Sequence, residues 1–143
     1  MSVKIIKIPK PKTPYINKAK SYNWGTPQHI KDKYIGWFDP CPYPQPQEDG
    51  LLIEWKAQNF VNPPYNNLKD WAKKCMIEYK KGKEVHLLIP ARTDTSYFHD
   101  YILPFATIEF IRKRLKFISL DGASDNGSSP APSIMCRFIP SEI

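Results

Sequence analysis

The sequence predicts a single α/β domain, a parallel sheet with helices on both faces, and three observations point there. A length of 143 residues suits one compact core. Short apolar runs that stop at proline, in YIGWFDP, NFVNPP and EVHLLIP, read as buried strands. Stretches of helical periodicity lie between and after them, and strand, helix, strand, helix is the pattern of a parallel sheet.

Taken in order, residues 1–20 mix lysine, proline and β-branched residues without a period, so they read as a basic N-terminal arm before a domain spanning 21–143. In WGTPQHIKDKY the hydroxyl of Thr26 precedes Pro27 at a first helical position, which opens a short helix running to Tyr34. YIGWFDP follows as a buried strand ended by Pro40. CPYPQPQEDG is too short and too rich in proline to be anything but a loop. LLIEWKAQ is ambiguous, and NFV is a strand that runs into Pro63 and Pro64.

Asn66 or Asn67 then caps a helix whose apolar residues, Leu68, Trp71, Ala72, Cys75 and Tyr79, follow the i, i+3, i+4 rule. Gly82 closes it behind Lys80 and Lys81. EVHLLIP is the next buried strand, and TDTSYFHDYIL a helix with Thr93 or Asp94 at its cap. TIEFI and RLKFI are two further strands, SLDGASDNGSSPAP is a polar loop, and SIMCRFI is a closing strand.

Composition narrows the function. A mean hydropathy of -0.50 and the lack of any run of about 18 apolar residues exclude a membrane-spanning chain. No apolar centre with a small-residue cleavage site follows the first lysines, so no secretory signal is read and a cytoplasmic protein is expected. Cys41, Cys75 and Cys136, like His29, His86 and His99, are scattered without ligand spacing, so neither a disulfide framework nor a metal site is expected. A net charge of +7 and a pI near 9.3 favour a polyanionic partner, with a merely solvated basic surface as the plain alternative.

The stretch FVNPPYNN carries the chemistry. Each proline fixes its own φ and pushes the preceding residue out of the helical region, so Asn62 and Pro63 are held extended. A rigid turn at the carboxyl end of a parallel strand is where α/β sheets meet ligands. The Asn62 side-chain oxygen and the Pro63 carbonyl then form two fixed acceptors beside the Tyr65 ring. Such a pair suits a planar heterocycle with an exocyclic amino group, adenine or cytosine. Accepting both N–H groups draws the nitrogen lone pair out of the ring and makes it a nucleophile, a case of preorganised electrostatics.

NPPY at Asn62 to Tyr65 resembles the catalytic word of amino-group DNA methyltransferases. The words around it, WGTP from Trp24, FDPC from Phe38, DGLLIEW from Asp49, PARTDTSYFH from Pro90, RLKF from Arg114 and the PAP before the last strand, resemble the phage-type DNA N-6-adenine methyltransferase (Dam) family over residues 22–139. The resemblance implies a compact, trimmed Rossmann-like methyltransferase sheet, S-adenosyl-L-methionine as methyl donor, adenine in DNA as acceptor, and, for a viral protein, the host cytoplasm.

By the same resemblance, Asn62, Pro63, Pro64 and Tyr65 hold the target base, and Trp24, Thr26, Pro27, Asp39, Pro40 and Asp49 match words expected around the cofactor. Arg92, Thr93 and Asp94, after the EVHLLIP strand, are the candidates for DNA contact. Plain readings stand beside these: a helix cap for Thr26, turn formers for Asp39 and Asp49, a surface salt bridge for Arg92. A base must leave its stack to react, and Tyr65 is the aromatic candidate to receive it, with Tyr97 and Phe98 behind it, a pair that reads first as a helix face packed on the sheet.

One departure stands out: CPYPQPQED replaces the glycine-rich turn that ordinarily follows the first strand of a methyltransferase, and the interval from Asp39 to Asp49 leaves no room for a further strand. Two rivals follow, a catalytically impaired nucleic-acid-binding subunit with the same fold, and a methyltransferase acting on RNA adenine or on cytosine. With no separate recognition domain in view, sequence choice is expected to come from loops, from the basic arm, or from a partner subunit or second copy.

Overall fold

The structure, a computed structural model, describes residues 25–42, 48–117 and 131–141. The basic arm, Trp24 and most of the polar loop before the last strand lie outside the described residues. Four strands, β1 (Gln58–Val61), β2 (Glu84–Pro90), β3 (Thr107–Phe110) and β4 (Ser133–Phe138), form one sheet in the order β1-β2-β4-β3. β1 and β2 are parallel, with Gln58 opposite Glu84 and Val61 opposite Leu87. β4 runs antiparallel to both neighbours, with Val85 opposite Phe138 and Thr107 opposite Arg137.

The sheet is therefore mixed, not parallel throughout. The closing strand is reached without a helical crossover among the described residues, and an antiparallel return needs none. Because β2 and β3 both oppose β4, the carboxyl ends of β1, β2 and β3 emerge along one edge.

Strand parity splits the interior into two layers. Val61, Val85, Leu87, Ile89, Ile134, Cys136 and Phe138 face one side, where they pack on Trp71, Ala72 and Cys75 of α2 (Leu68–Lys80) and on Phe98 and Ile102. Phe60, Leu88 and Met135 face the other, against Ile30 of α1 (Gln28–Lys31) and against Leu115 and Phe117. Among the described residues, helical cover on this second side is a single α-turn extended by a 3₁₀ turn, Asp32–Tyr34, so the two faces are unequally clothed.

α2 matches its apolar pattern, with Leu68, Trp71, Ala72 and Cys75 buried and Tyr79 partly so. Its end is a Schellman closure: Gly82, at φ +95, donates to the Tyr79 carbonyl and Lys83 to that of Glu78. The expected side-chain caps are not made. Asn67 occupies the cap of α2 without a side-chain hydrogen bond, and Pro27, not Thr26, precedes α1.

Three further expectations are corrected. YIGWFDP is no strand: Gly36 at φ +89 turns the chain, and only Phe38 joins the sheet, by a parallel bridge to Asn59. TDTSYFHDYIL shortens to a π-helical segment, Phe98–Ile102, with Tyr97 rather than Thr93 or Asp94 at its start. RLKF makes no ladder, because Lys113 takes the left-handed φ of 67 after β3 and sends the chain across the sheet's second face. No helix among the described residues is long and apolar enough to cross a membrane.

Candidate active site

β1 delivers its last residues to the edge where the carboxyl ends of β1, β2 and β3 emerge. By strand parity Phe60 and Asn62 point to the sheet's second face while Val61 packs under α2. Beyond them Pro63 is buried, Pro64 is extended at φ -65 and ψ 144, and Tyr65 opens a 3₁₀ turn, Tyr65–Asn67, that feeds α2. The prolines thus do what their ring geometry demands: the strand ends in a stiff elbow instead of fraying.

The Asn62 side chain is 9% exposed, and its amide nitrogen donates to Thr26 Oγ1 at 3.1 Å. This bond joins two stretches that lie 36 positions apart in the chain. It uses the donor end of the amide, which fixes the orientation of the oxygen. Thr26 in turn lines a cleft of about 300 Å³ with Asp39, Lys31, Tyr34, Trp37 and Phe60. The asparagine therefore sits one hydrogen bond from a cavity.

Asp39 is the partly buried carboxylate of that cleft, whose other charged lining residues, Lys31 and Asp32, are exposed. Burial lifts its carboxyl to about 6, against the pull of the Cys41 backbone N–H, 2.9 Å from Oδ1, and of the Lys31 ammonium. A carboxylate kept half dry in this way gains from any cationic or hydrogen-bond donor brought to it. Burial likewise pushes the Cys41 thiol up to about 12, helped by the nearby carboxylates of Asp39 and Asp49, so it is no nucleophile.

The aromatic walls escaped the sequence reading. Tyr34 stacks on Phe60 with centroids 4.4 Å apart, and Trp37 meets Tyr34 edge-on at 5.0 Å. His86 on β2 lies behind them. Burial depresses its pKa, so the neutral ring donates from Nε2 to Glu84 and accepts the Tyr34 hydroxyl at Nδ1, each at 2.8 Å. Phe60 was legible in principle, two residues before Asn62 on the same strand face, whereas Tyr34 and Trp37 come from a turn with no periodic signal.

Other expected site residues fall elsewhere. Asp49 folds onto its own turn, Oδ1 accepting from Leu51 N–H at 2.9 Å, and is not among the residues lining the cleft. Pro40 is buried, and Gly50 packs onto it so tightly that a β-carbon there would lie 1.9 Å from the Pro40 carbonyl oxygen. Gly50 thus serves a close approach of chain to chain at Pro40 and is not among the residues lining the cleft. Arg92, Thr93 and Asp94 are all exposed on the loop after β2; the carbonyls of Arg92 and Thr93 bind Thr95 and His99. Trp24 lies outside the described residues. Among those residues, no cluster of His, Cys, Asp or Glu is arranged to hold a metal ion.

Three neighbourhoods therefore share one edge: the Asn62 elbow, the Asp39 cleft and the Arg92 loop. No curated protein and no solved structure matches the chain. The sequence model described as DNA N-6-adenine-methyltransferase (Dam) matches residues 40–141, starting just after Asp39 and so omitting the WGTP word. Matched over well more than half its length, the chain belongs to the DNA N-6-adenine-methyltransferase (Dam) family.

Proposed function

We propose that the protein methylates the exocyclic N6 of adenine in DNA with S-adenosyl-L-methionine, on a sheet that is a trimmed Rossmann-like methyltransferase. The observation that carries this reading is the Asn62–Thr26 hydrogen bond, which couples the asparagine–proline elbow to the cleft holding Asp39. The cleft residues fit the cofactor: a desolvated carboxylate for its cationic or hydroxyl groups, and Tyr34, Trp37 and Phe60 as flat walls for its adenine. S-adenosyl-L-methionine, when bound, supplies the methyl group.

The chain's own residues do the rest. Asp39 and Thr26 orient the donor from one side, and Pro27, Pro40 and Gly50 keep their backbones in place. Asn62 Oδ1 and the Pro63 carbonyl accept the two amino hydrogens of the target base, so the nitrogen approaches tetrahedral geometry with its lone pair towards the cleft. Pro64 stiffens the elbow. Tyr65 takes the face of the base in place of the stack it has left, which offsets part of the few kcal/mol that extrusion costs. Water is kept away by the buried prolines and the aromatic walls.

Methyl-labelled cofactor and adenine-containing DNA test this directly. Wild type should transfer label to DNA, and Asn62→Ala should lose about 10² to 10³ in kcat, the usual penalty for removing one preorganised polar partner of a developing charge. Asn62→Asp keeps an oxygen at the same place but loses the N–H that Thr26 accepts, so intermediate activity is expected. Label transfer by Asn62→Ala at the wild-type rate would remove the catalytic assignment, and absence of heat on titrating wild type with the cofactor would leave a binding subunit.

A further inference from the structure

The segment that follows β3 is built in two layers of opposite character. Leu115 and Phe117 are 6% and 8% exposed and belong to the apolar cluster on the sheet's second face, with Ile111 packed against it. Arg112, Lys113, Arg114 and Lys116, the residues between, are all exposed, and no acidic residue interrupts them. From Arg114 to Phe117 exposed cations alternate with buried apolar residues as an extended chain requires, and the left-handed Lys113 breaks the alternation and is exposed as well.

Position makes this more than a solvated charge run. The segment leaves the sheet at the edge where β1 and β2 end, tied there by Ile111 N–H donating to the Ser133 carbonyl at 3.2 Å. Phe117 meets the Tyr65 ring edge-on at 6.3 Å, so the cationic stretch lies against the elbow that holds Asn62. Lys113 is the one non-glycine residue with a positive φ, 67, among those described, a local cost that persists only where the surroundings demand it. Some cations elsewhere are paired, Lys74, Lys81 and Lys83 with Glu78 and Arg137 with Glu109, while exposed Lys33, Lys73 and Lys80 make no ion pair among the described residues, so what sets this segment apart is the density of its cations beside the elbow. Arg112, Lys113 and Lys116 make no ion pair among the described residues, and neither does Arg92 on the adjoining loop.

We propose that residues 111–117 form a phosphate-binding arch in which Arg112, Lys113 and Lys116 hold the DNA backbone beside the adenine that enters at Asn62 and Tyr65. This rests on the DNA substrate proposed above. A base that swings out of a duplex turns about its own backbone, so the flanking phosphates must pass within a nucleotide or two of the pocket. Cations on a segment anchored by buried Leu115 and Phe117 meet them without first being ordered. Such contacts position the strand and carry no sequence information.

The test is a fluorescence-anisotropy titration of the full chain with a labelled adenine-containing duplex at several salt concentrations. Three proteins are compared: wild type, the triple variant Arg112→Gln, Lys113→Gln, Lys116→Gln, and a charge-matched control, Lys33→Gln, Lys73→Gln, Lys80→Gln, whose residues are exposed on α2 and the first 3₁₀ turn. Each phosphate contact contributes about 0.9 to the slope of log K against log salt, so the arch variant should lose about 2 to 3 of that slope and bind at least about tenfold more weakly at low salt. The control should lose less than about one unit. Heat on titrating S-adenosyl-L-methionine should be the same for arch variant and wild type, which separates a lost DNA contact from a lost fold. If the triple variant does not fold, Arg112→Gln and Lys116→Gln made singly should each lower the slope by about one. Equal slopes for arch variant and wild type, or equal losses in arch and control variants, overturn the arch alone. A wild type with no salt-dependent affinity for DNA overturns the DNA substrate and the arch together.

Discussion

Asp39 shows at a single side chain how burying a carboxylate costs stability. Its carboxyl is held at about 6 by burial, above the ordinary 3.8, so the ligand-free fold favours the protonated form. The sign follows: the contribution is complete below pH 3.8 and is lost as pH rises through about 6. Asp39→Asn should therefore stabilise the ligand-free protein at pH 7 by about 1 to 3 kcal/mol, with little gain at pH 4. Thermal melting at the two pH values reads this out. Calorimetry on the same variant should show weaker cofactor binding, and wild-type affinity should fall about tenfold for each pH unit below about 6. An Asp39→Asn protein that melts like wild type at pH 7 would place the carboxylate in water.

Gly50 makes the opposite case, a residue whose lack of a side chain is its function. A β-carbon would sit 1.9 Å from the Pro40 carbonyl and 2.9 Å from the Trp71 ring, and neither can retreat, since Trp71 is buried against Trp55. Gly50→Ala should cost about 2 kcal/mol or more and lower the melting temperature by several degrees.

At the level of elements, α2 owes its position to an ion cluster as much as to its apolar stripe. Glu78 is fully buried, accepts from Trp55 N–H at 3.1 Å, and is met by the ammonium groups of Lys74 at 2.9 Å, Lys81 at 3.1 Å and Lys83 at 2.5 Å. Burial alone raises such a carboxyl, yet the lysines and the Trp55 N–H together hold it down at about 2. Glu78→Gln should destabilise the fold by about 3 kcal/mol at pH 7, because it strands three cations around a dry site. The wild-type advantage should fade as pH falls from 4.5 to about 2, where the carboxylate takes up its proton. Denaturant melts of both proteins at pH 7 and pH 3 test the sign.

The same elements show what local rules can and cannot read. α2, β2, β3 and β4 were legible because period and breakers agree: Gly82 demands the left-handed closure, and proline stops β2. The Glu78 cluster was legible only in its pairs with Lys74 and Lys81, at i, i+4 and i, i+3 spacing; nothing local says that the carboxylate will be buried and bound by the Trp55 N–H, 23 positions away. Within the site, the Asn62 elbow follows from proline geometry alone. Its bond to Thr26 does not, because partners 36 positions apart are set by the whole sheet, and the walls from Tyr34 and Trp37 hang on one glycine turn at Gly36. The strand read into RLKF failed where a single left-handed residue, Lys113, outweighed β-propensity.

Across the whole molecule, the mixed sheet gathers three chain crossings at one edge: the elbow after β1, the Arg92 loop after β2 and the cationic segment after β3. One face carries the packed α2 layer and gives rigidity. The other, covered among the described residues by a single helical turn and aromatic side chains, leaves room for the cleft. On the proposed function, the net charge of +7 is the general attraction for nucleic acid, and the cleft and elbow are the parts assigned to selecting a base with an amino group. The most direct measurement is nucleoside analysis by mass spectrometry after wild type and Asn62→Ala have each been incubated with S-adenosyl-L-methionine and DNA. N6-methyladenine from wild type alone is the predicted result; methylated cytosine in its place, or equal N6-methyladenine from both proteins, would contradict the account.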